Sequence, residues 1–169
     1  NNIGTLPNVA GPYYGYTIYN VNTTPVTNIT GGNIYGVMQG VSAFNSVDNV
    51  NYAPSVFNLS GQTMSGFTGN HISLPNINFH AGVYTFTGGV AGPNSITANI
   101  TDVSVNGTGR IAQDCAGLSF VDFSLGSGTM QNIKVRSNTL TENLNRGINI
   151  RGNNASIDIS TSTLDRNGR

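Results

Sequence analysis

Apolar residues in this chain come in short pairs rather than in stripes. Ile133 and Val135 stand two apart with Leu140 five beyond, and the spacing returns at Ile157, Ile159 and Leu164. A step of two is the period of strand side chains. A step of five across small or turn-forming residues suits a bend into the next short strand. No long stretch sustains a 3.6-residue period, and Gly, Asn, Ser and Thr interrupt nearly every apolar run, so the pattern predicts strands and turns.

Six places carry the five-step signature: Ile29/Ile34, Leu59/Met64, Phe79/Tyr84, Ile100/Val105, Val135/Leu140 and Ile159/Leu164. Phe57, Ile77, Ile133 and Ile157 add the partner two positions earlier. The intervals between anchors are unequal, and the longest, from Ile100 to Val135, holds LSFVDF, which can add strands of its own. Most intervals sit near a repeat unit of roughly 20 to 24 residues, with insertions. The fold class expected is all-β, a parallel β-helix in which inward aliphatics of adjacent coils stack. Pro25, Pro54, Pro75 and Pro93 each precede an anchor by four to seven positions, where a residue lacking N–H can open a strand. The competing fold is an antiparallel sandwich or jelly roll, since short strands with Gly-rich turns also read that way.

The last two coils are the most regular. Val135 maps to Ile159, Leu140 to Leu164 and Asn143 to Asn167 by one constant shift, so the two asparagines are candidates for an amide ladder or for solvated turns. Organisation follows: a Tyr-rich cap or edge segment over 1–24 and solenoid coils over 25–169, most regular over 132–169. Nothing after Leu164 matches Gly147–Ile150, so the stack is expected to continue beyond Arg169 or into a neighbouring subunit.

The stretch VRSNTLTENLNRGINIRGNNASIDISTSTLDRNGR resembles the repeats of the right-handed parallel β-helix, or pectate-lyase-like, superfamily. That fold occurs in polysaccharide lyases, pectin hydrolases, phage tailspikes and bacterial surface passengers. The resemblance is good over Asn132 to Arg169 and degenerate from Val26 to Phe120, and it departs at Ser162, where the preceding coil has Asn138. It implies a handedness and an architecture; function it specifies poorly. The pectin hydrolases of the superfamily carry Asp-Asp, Gly-His-Gly and Arg-Ile-Lys signatures. Here Gln113-Asp114-Cys115, unflanked histidines and Ile133-Lys134-Val135 stand instead.

Composition narrows the picture. Charged residues are 8% of the chain against roughly 25% in ordinary domains, while Asn contributes 25 residues and Gly 22. The formal net charge is zero and no basic run occurs, so the footprint of nucleic-acid binding is missing. No apolar segment approaches the roughly 20 residues that cross a bilayer. Six Asn-X-Ser/Thr triplets occur, at Asn22, Asn28, Asn58, Asn99, Asn106 and Asn154, where chance placement gives about five, so they are no evidence for glycosylation. Cys115 has no partner for an intrachain disulfide and reads as a small buried hydrophobe.

Of 14 charged residues, 13 lie at or beyond Asp102. The weak catalytic candidates are Glu142, Asp158 and Asp165, with Asp122 as a further carboxylate: a two-carboxylate glycosidase needs its acids roughly 5 to 9.5 Å apart, which neighbouring coils can supply. Against this, Arg146 and Arg169 follow Glu142 and Asp165 by four, which suggests exposed ion pairs, and outward Lys134 can pair with Asp158. His71 and His80 make a poor metal site, and no metal or cofactor is expected. Tyr13, Tyr14, Tyr16 and Tyr19 form a cluster suited to capping the first coil or to stacking on sugars. The expectation is a non-enzymatic, secreted or cell-surface solenoid, an adhesin-like passenger or a module of a surface fibre or spike. Its partners would be copies of itself, a host-surface protein or a glycan. The alternatives are a polysaccharide-degrading enzyme and a carbohydrate-binding module.

Overall fold

The computed structural model describes residues 2–4, 14–18, 20, 23–45, 53–67, 80–89, 92, 94–109, 115–125, 128–152 and 154–168. Pro75, Pro93, His71, Ile77, Phe79, Tyr13, Tyr19, Asn22 and Arg169 lie outside these residues. The described elements are all strands, and every pairing between them is parallel. Sheet 1 stacks β1 (Asn2–Gly4), β4 (Asn33–Tyr35), β7 (Thr63–Ser65), β10 (Ser104–Asn106), β13 (Thr139–Thr141) and β16 (Thr163–Asp165). Sheet 2 stacks β2 (Tyr14–Ile18), β5 (Gln39–Asn45), β8 (Ala81–Gly89), β11 (Ala116–Ser124) and β14 (Ile148–Arg151). Sheet 3 stacks β3 (Val26–Thr30), β6 (Ser55–Ser60), β9 (Ile96–Thr101), β12 (Gln131–Arg136) and β15 (Ala155–Ser160). Each coil visits sheets 3, 1 and 2 in turn, so the chain is a parallel β-helix and the antiparallel alternative falls.

The five-step signature is the turn from sheet 3 into sheet 1. Ile29, Leu59, Ile100, Val135 and Ile159 align in sheet 3, and Ile34, Met64, Val105, Leu140 and Leu164 align in sheet 1. In each coil one left-handed corner lies between them and a second follows two residues past the sheet 1 residue. The first column holds Gly31, Gly61, Asp102, Ser137 and Thr161, with φ from +50° to +63°, and the second holds Gly36, Gly66, Gly107, Glu142 and Arg166, with φ from +50° to +73°. Glycine enters this region at no steric cost, whereas the other residues adopt it under strain.

One anchor is reassigned. Tyr84 belongs to sheet 2, where it pairs with Ser42 and Ser119, so Phe79/Tyr84 is not a turn of the sheet 3 to sheet 1 kind. Leu59 aligns directly with Ile100, and only the step from Val135 to Ile159 matches the bare repeat unit. The residues added to earlier coils leave the three-sheet register intact. LSFVDF is the middle of β11.

Pro25 and Pro54 immediately precede β3 and β6, where their missing N–H does not interrupt a ladder. The core is a column of inward aliphatics with two fully buried phenylalanines, Phe57 and Phe120. Sheet 2 enters the core through a stack of glycines that follow or precede paired residues: Gly15, Gly40, Gly82, Gly117 and Gly147. A Cβ on Gly82 would stand 2.5 Å from Val105 and 2.7 Å from the Gly117 carbonyl oxygen. Here glycine is required for space, since sheets 1 and 2 approach too closely for any side chain.

Candidate functional surface

Among the described acidic residues, Glu142 and Asp165 meet on one guanidinium, that of Arg166, while Asp158 and Asp122 lie elsewhere, Asp158 on sheet 3 and Asp122 on sheet 2. Asp158 faces outward on sheet 3, opposite Lys134 in register. Its ion pair is with Arg136, at 2.6 Å, not with Lys134. Arg136 stands two residues along the same outward face, so its guanidinium fork reaches Asp158 diagonally while also donating to Ser160 Oγ. Glu142 pairs with Arg166 at 3.1 Å, and Asp165 pairs with the same Arg166 at 3.1 Å. The expectation that each coil holds its own Glu142/Arg146 pair therefore gives way to a cross-coil pair. Stacking sets it: Glu142 and Arg166 occupy equivalent left-handed corners of adjacent coils.

Asp122 is buried at the end of β11. Its Oδ1 accepts from Thr87 Oγ1 at 2.5 Å and from the Ser124 N–H at 3.0 Å. Thr87 in turn accepts from Gln131, whose amide also donates to the Val121 carbonyl and accepts from Thr85. Four polar side chains thus close a buried network where sheets 2 and 3 meet. Cys115 and His80 are also buried, with the His80 N–H directed at Cys115 Sγ at 3.2 Å and the imidazole beside Phe67. Among the described residues, no group of three or more His, Cys, Asp or Glu is placed to hold a metal ion.

The described tyrosines of the N-terminal cluster separate. Tyr16 aligns with Val41 and packs against the core, while Tyr14 meets Phe44 edge-on at 6.0 Å. Phe44 continues to Tyr84 at 6.0 Å, and Phe86 meets Phe123 at 6.1 Å. The Arg151 guanidinium lies 4.4 Å from the Phe123 ring centre, a cation–π contact. Successive coils of sheet 2 thus build an aromatic stripe along the outside of the stack, ending at half-exposed Phe123 and exposed Leu125. The alternation Ser42, Phe44 / Tyr84, Phe86 / Val121, Phe123 carries this stripe in the sequence, but it is found only once the glycine column fixes the register.

Amide ladders are the other recurrent feature. Asn143 Nδ2 donates to Asn167 Oδ1 at 2.8 Å, and the Asn143 N–H donates to the same oxygen at 3.0 Å. One coil back, the Thr108 N–H and hydroxyl donate to Asn143 Oδ1 at 3.1 and 2.9 Å. Asn138 bridges the neighbouring corner, accepting from the Val103 N–H and donating to the Ile100 carbonyl. A third ladder runs outside sheet 3, where Asn58 donates to Asn28 at 2.8 Å and Asn99 to Asn58 at 2.7 Å. Its signal in the sequence is an asparagine before each of the first, second and fourth anchors. These three are also triplet asparagines, and their carboxamides are engaged between coils.

Among the described residues no helix is long and apolar enough to cross a membrane. Comparison of the chain with family models, with curated proteins and with solved structures finds no match.

Proposed function

We propose that this chain is a non-enzymatic, extracellular β-solenoid that serves as an adhesin-like or fibre-forming structural module, nearer to surface members of the pectate-lyase-like superfamily than to its hydrolases. The observation that supports this reading is the direction of its polar chemistry. Asn28, Asn58, Asn99, Asn138 and Asn143 bond from coil to coil, and Asp158 and Glu142 pair across coils. Such a design builds a stiff rod whose faces remain nearly uncharged from Asn1 to Thr101, where Asp48 is the only formal charge. Low charge removes the repulsion that keeps proteins apart and favours contact with other surfaces.

The test is incubation with acidic and neutral polysaccharides alongside electron microscopy of the purified protein. Rods without release of new reducing or unsaturated ends are expected. Glycan cleavage abolished by Asp165→Asn or Glu142→Gln would overturn the reading.

A second reading, a carbohydrate-binding module, has the aromatic stripe in its favour. Ring faces at successive coils suit stacking on an extended glycan. Phe86→Ala with Phe123→Ala should then abolish retention on the glycan in affinity electrophoresis. Retention unchanged by both substitutions would remove this site.

A further inference from the structure

One residue stands between each first left-handed corner and the sheet 1 strand that follows it: Gly32, Gln62, Val103, Asn138 and Ser162 in successive coils. In the later coils this column has a rule. The Val103 N–H donates to Asn138 Oδ1 at 2.8 Å and the Asn138 N–H to Ser162 Oγ at 3.3 Å, so each backbone N–H is met by the side chain of the coil that follows. Gln62 breaks the rule. Its Nε2 donates to the Gly31 carbonyl, which can only accept, so the orientation of the amide is fixed. Its Oε1 has no hydrogen-bond partner although the residue is only 2% exposed. The Gly32 N–H, the donor that the rule directs at this side chain, has no acceptor among the described residues. Glutamine is one methylene longer than Asn138, and Gly31 and Gly32 bring no side chains into the gap.

We propose that this corner is a binding site for one structural water molecule, which accepts from the Gly32 N–H and donates to Gln62 Oε1. A buried amide oxygen without a donor is costly, and so is a backbone N–H without an acceptor. Together the two groups define the ligand. A cation would face the Gly32 N–H with the wrong sign, and an anion would face Oε1. A neutral molecule that both donates and accepts satisfies the pair, and water is small enough for a space between stacked coils. At this layer the water takes the place of the direct contact that Asn138 makes to Val103. Any role of the solenoid needs this corner closed, so the site stands apart from the proposed function.

The test is a water-selective nuclear Overhauser experiment on the isotope-labelled intact chain. A long-lived water should give a cross-peak at the Gly32 amide, with the sign of a slowly tumbling molecule, and none at Val103, whose N–H is bonded to Asn138. Gln62→Asn, which copies Asn138, should lose the cross-peak while the Gly32 amide stays protected, because the shorter side chain accepts from it directly. Gln62→Met, near in length but without an acceptor, should lose the cross-peak and let Gly32 exchange about tenfold faster, the equivalent of one hydrogen bond. Absence of the cross-peak from the unaltered chain would overturn the proposal, and that measurement needs no variant to fold. So would a cross-peak that persists in Gln62→Met, since it would then come from an exchanging hydroxyl nearby.

Discussion

The first and last coils solve the same corner in two ways. At the position three residues past the sheet 1 aliphatic, the early coils place Val37 and Phe67, buried as apolar plugs, while the later ones place Thr108, Asn143 and Asn167 as a hydrogen-bonded column. The left-handed corners change with them, from Gly31, Gly36, Gly61 and Gly66 to Ser137, Glu142, Thr161 and Arg166. One backbone path thus accepts an apolar filling with glycine corners, or a polar filling with non-glycine corners whose side chains bond across coils, and the layer of Thr108, with Asp102 and Gly107, has one corner of each kind. The ladder has a property the plug lacks: each layer donates to the one after it, so the polar column has a direction along the solenoid.

Exchanging the two fillings breaks the comparison most severely. Phe67→Asn places a carboxamide in the layer of Met64 and His80, where no second amide lies in the column, and removes a large buried ring. Its expected cost is about 4 kcal/mol, from lost burial and an unpaired polar group together. Denaturant unfolding should show the midpoint falling with little change in slope; a loss below about 1 kcal/mol would mean the early corner tolerates polarity as well as the late one does.

The reverse exchange, Asn143→Leu, is close in volume but strips the Thr108 N–H and hydroxyl of their acceptor and Asn167 Oδ1 of a donor. An expected cost of about 3 kcal/mol follows from leaving buried donors unpaired. Amide exchange at Thr108 should accelerate more than exchange at Val83 in the core. Equal acceleration at both sites would show that the column adds no local protection.

These side chains also explain what can be read in advance. The turn from sheet 3 to sheet 1 is legible because aliphatics at most anchor and five-step positions are fully buried, and burial preserves the apolar pattern. Asn143 and Asn167 are legible as a ladder because no insertion interrupts the repeat between them. Sheet 2 is not. Its inward positions include Gly82, Ala43 and Thr85, whereas its bulky Phe44, Tyr84 and Phe123 lie on the outer face, so hydrophobicity points away from the core there. Tyr84 five beyond Phe79 imitates the anchor signature for that reason. The ion pairs mislead for a different one: within-coil spacing suggests Glu142 with Arg146, but the shortest path on a solenoid runs to the adjacent coil.

The glycine corners offer a smaller test. Gly61 has φ of +63° and open space around a Cβ, with the nearest atoms of Gly31 at 3.7 Å, so Gly61→Ala isolates backbone strain from crowding. It should cost about 1 kcal/mol. Gly82→Ala, whose added Cβ meets backbone at 2.7 Å, should cost more than Gly61→Ala despite identical chemistry. If the two variants unfold alike, the distinction between glycine used for angle and glycine used for space fails.

The smallest effect concerns the charges that mark the later coils. The Glu142–Arg166 pair joins equivalent corners, but its side chains are 52% and 48% exposed, and water screens such pairs strongly. Glu142→Gln keeps the left-handed backbone and the side-chain length while removing the charge. The expected loss is about 0.5 kcal/mol at low ionic strength, vanishing near about 1 M salt as screening shortens to about 3 Å. A loss that persisted undiminished in high salt would assign the corner contact to packing or hydrogen bonding. Since Arg166 also holds Asp165, removing the Glu142 charge leaves the guanidinium a carboxylate on its own coil. The residual effect therefore measures what crossing between coils adds to a pair that could form within one.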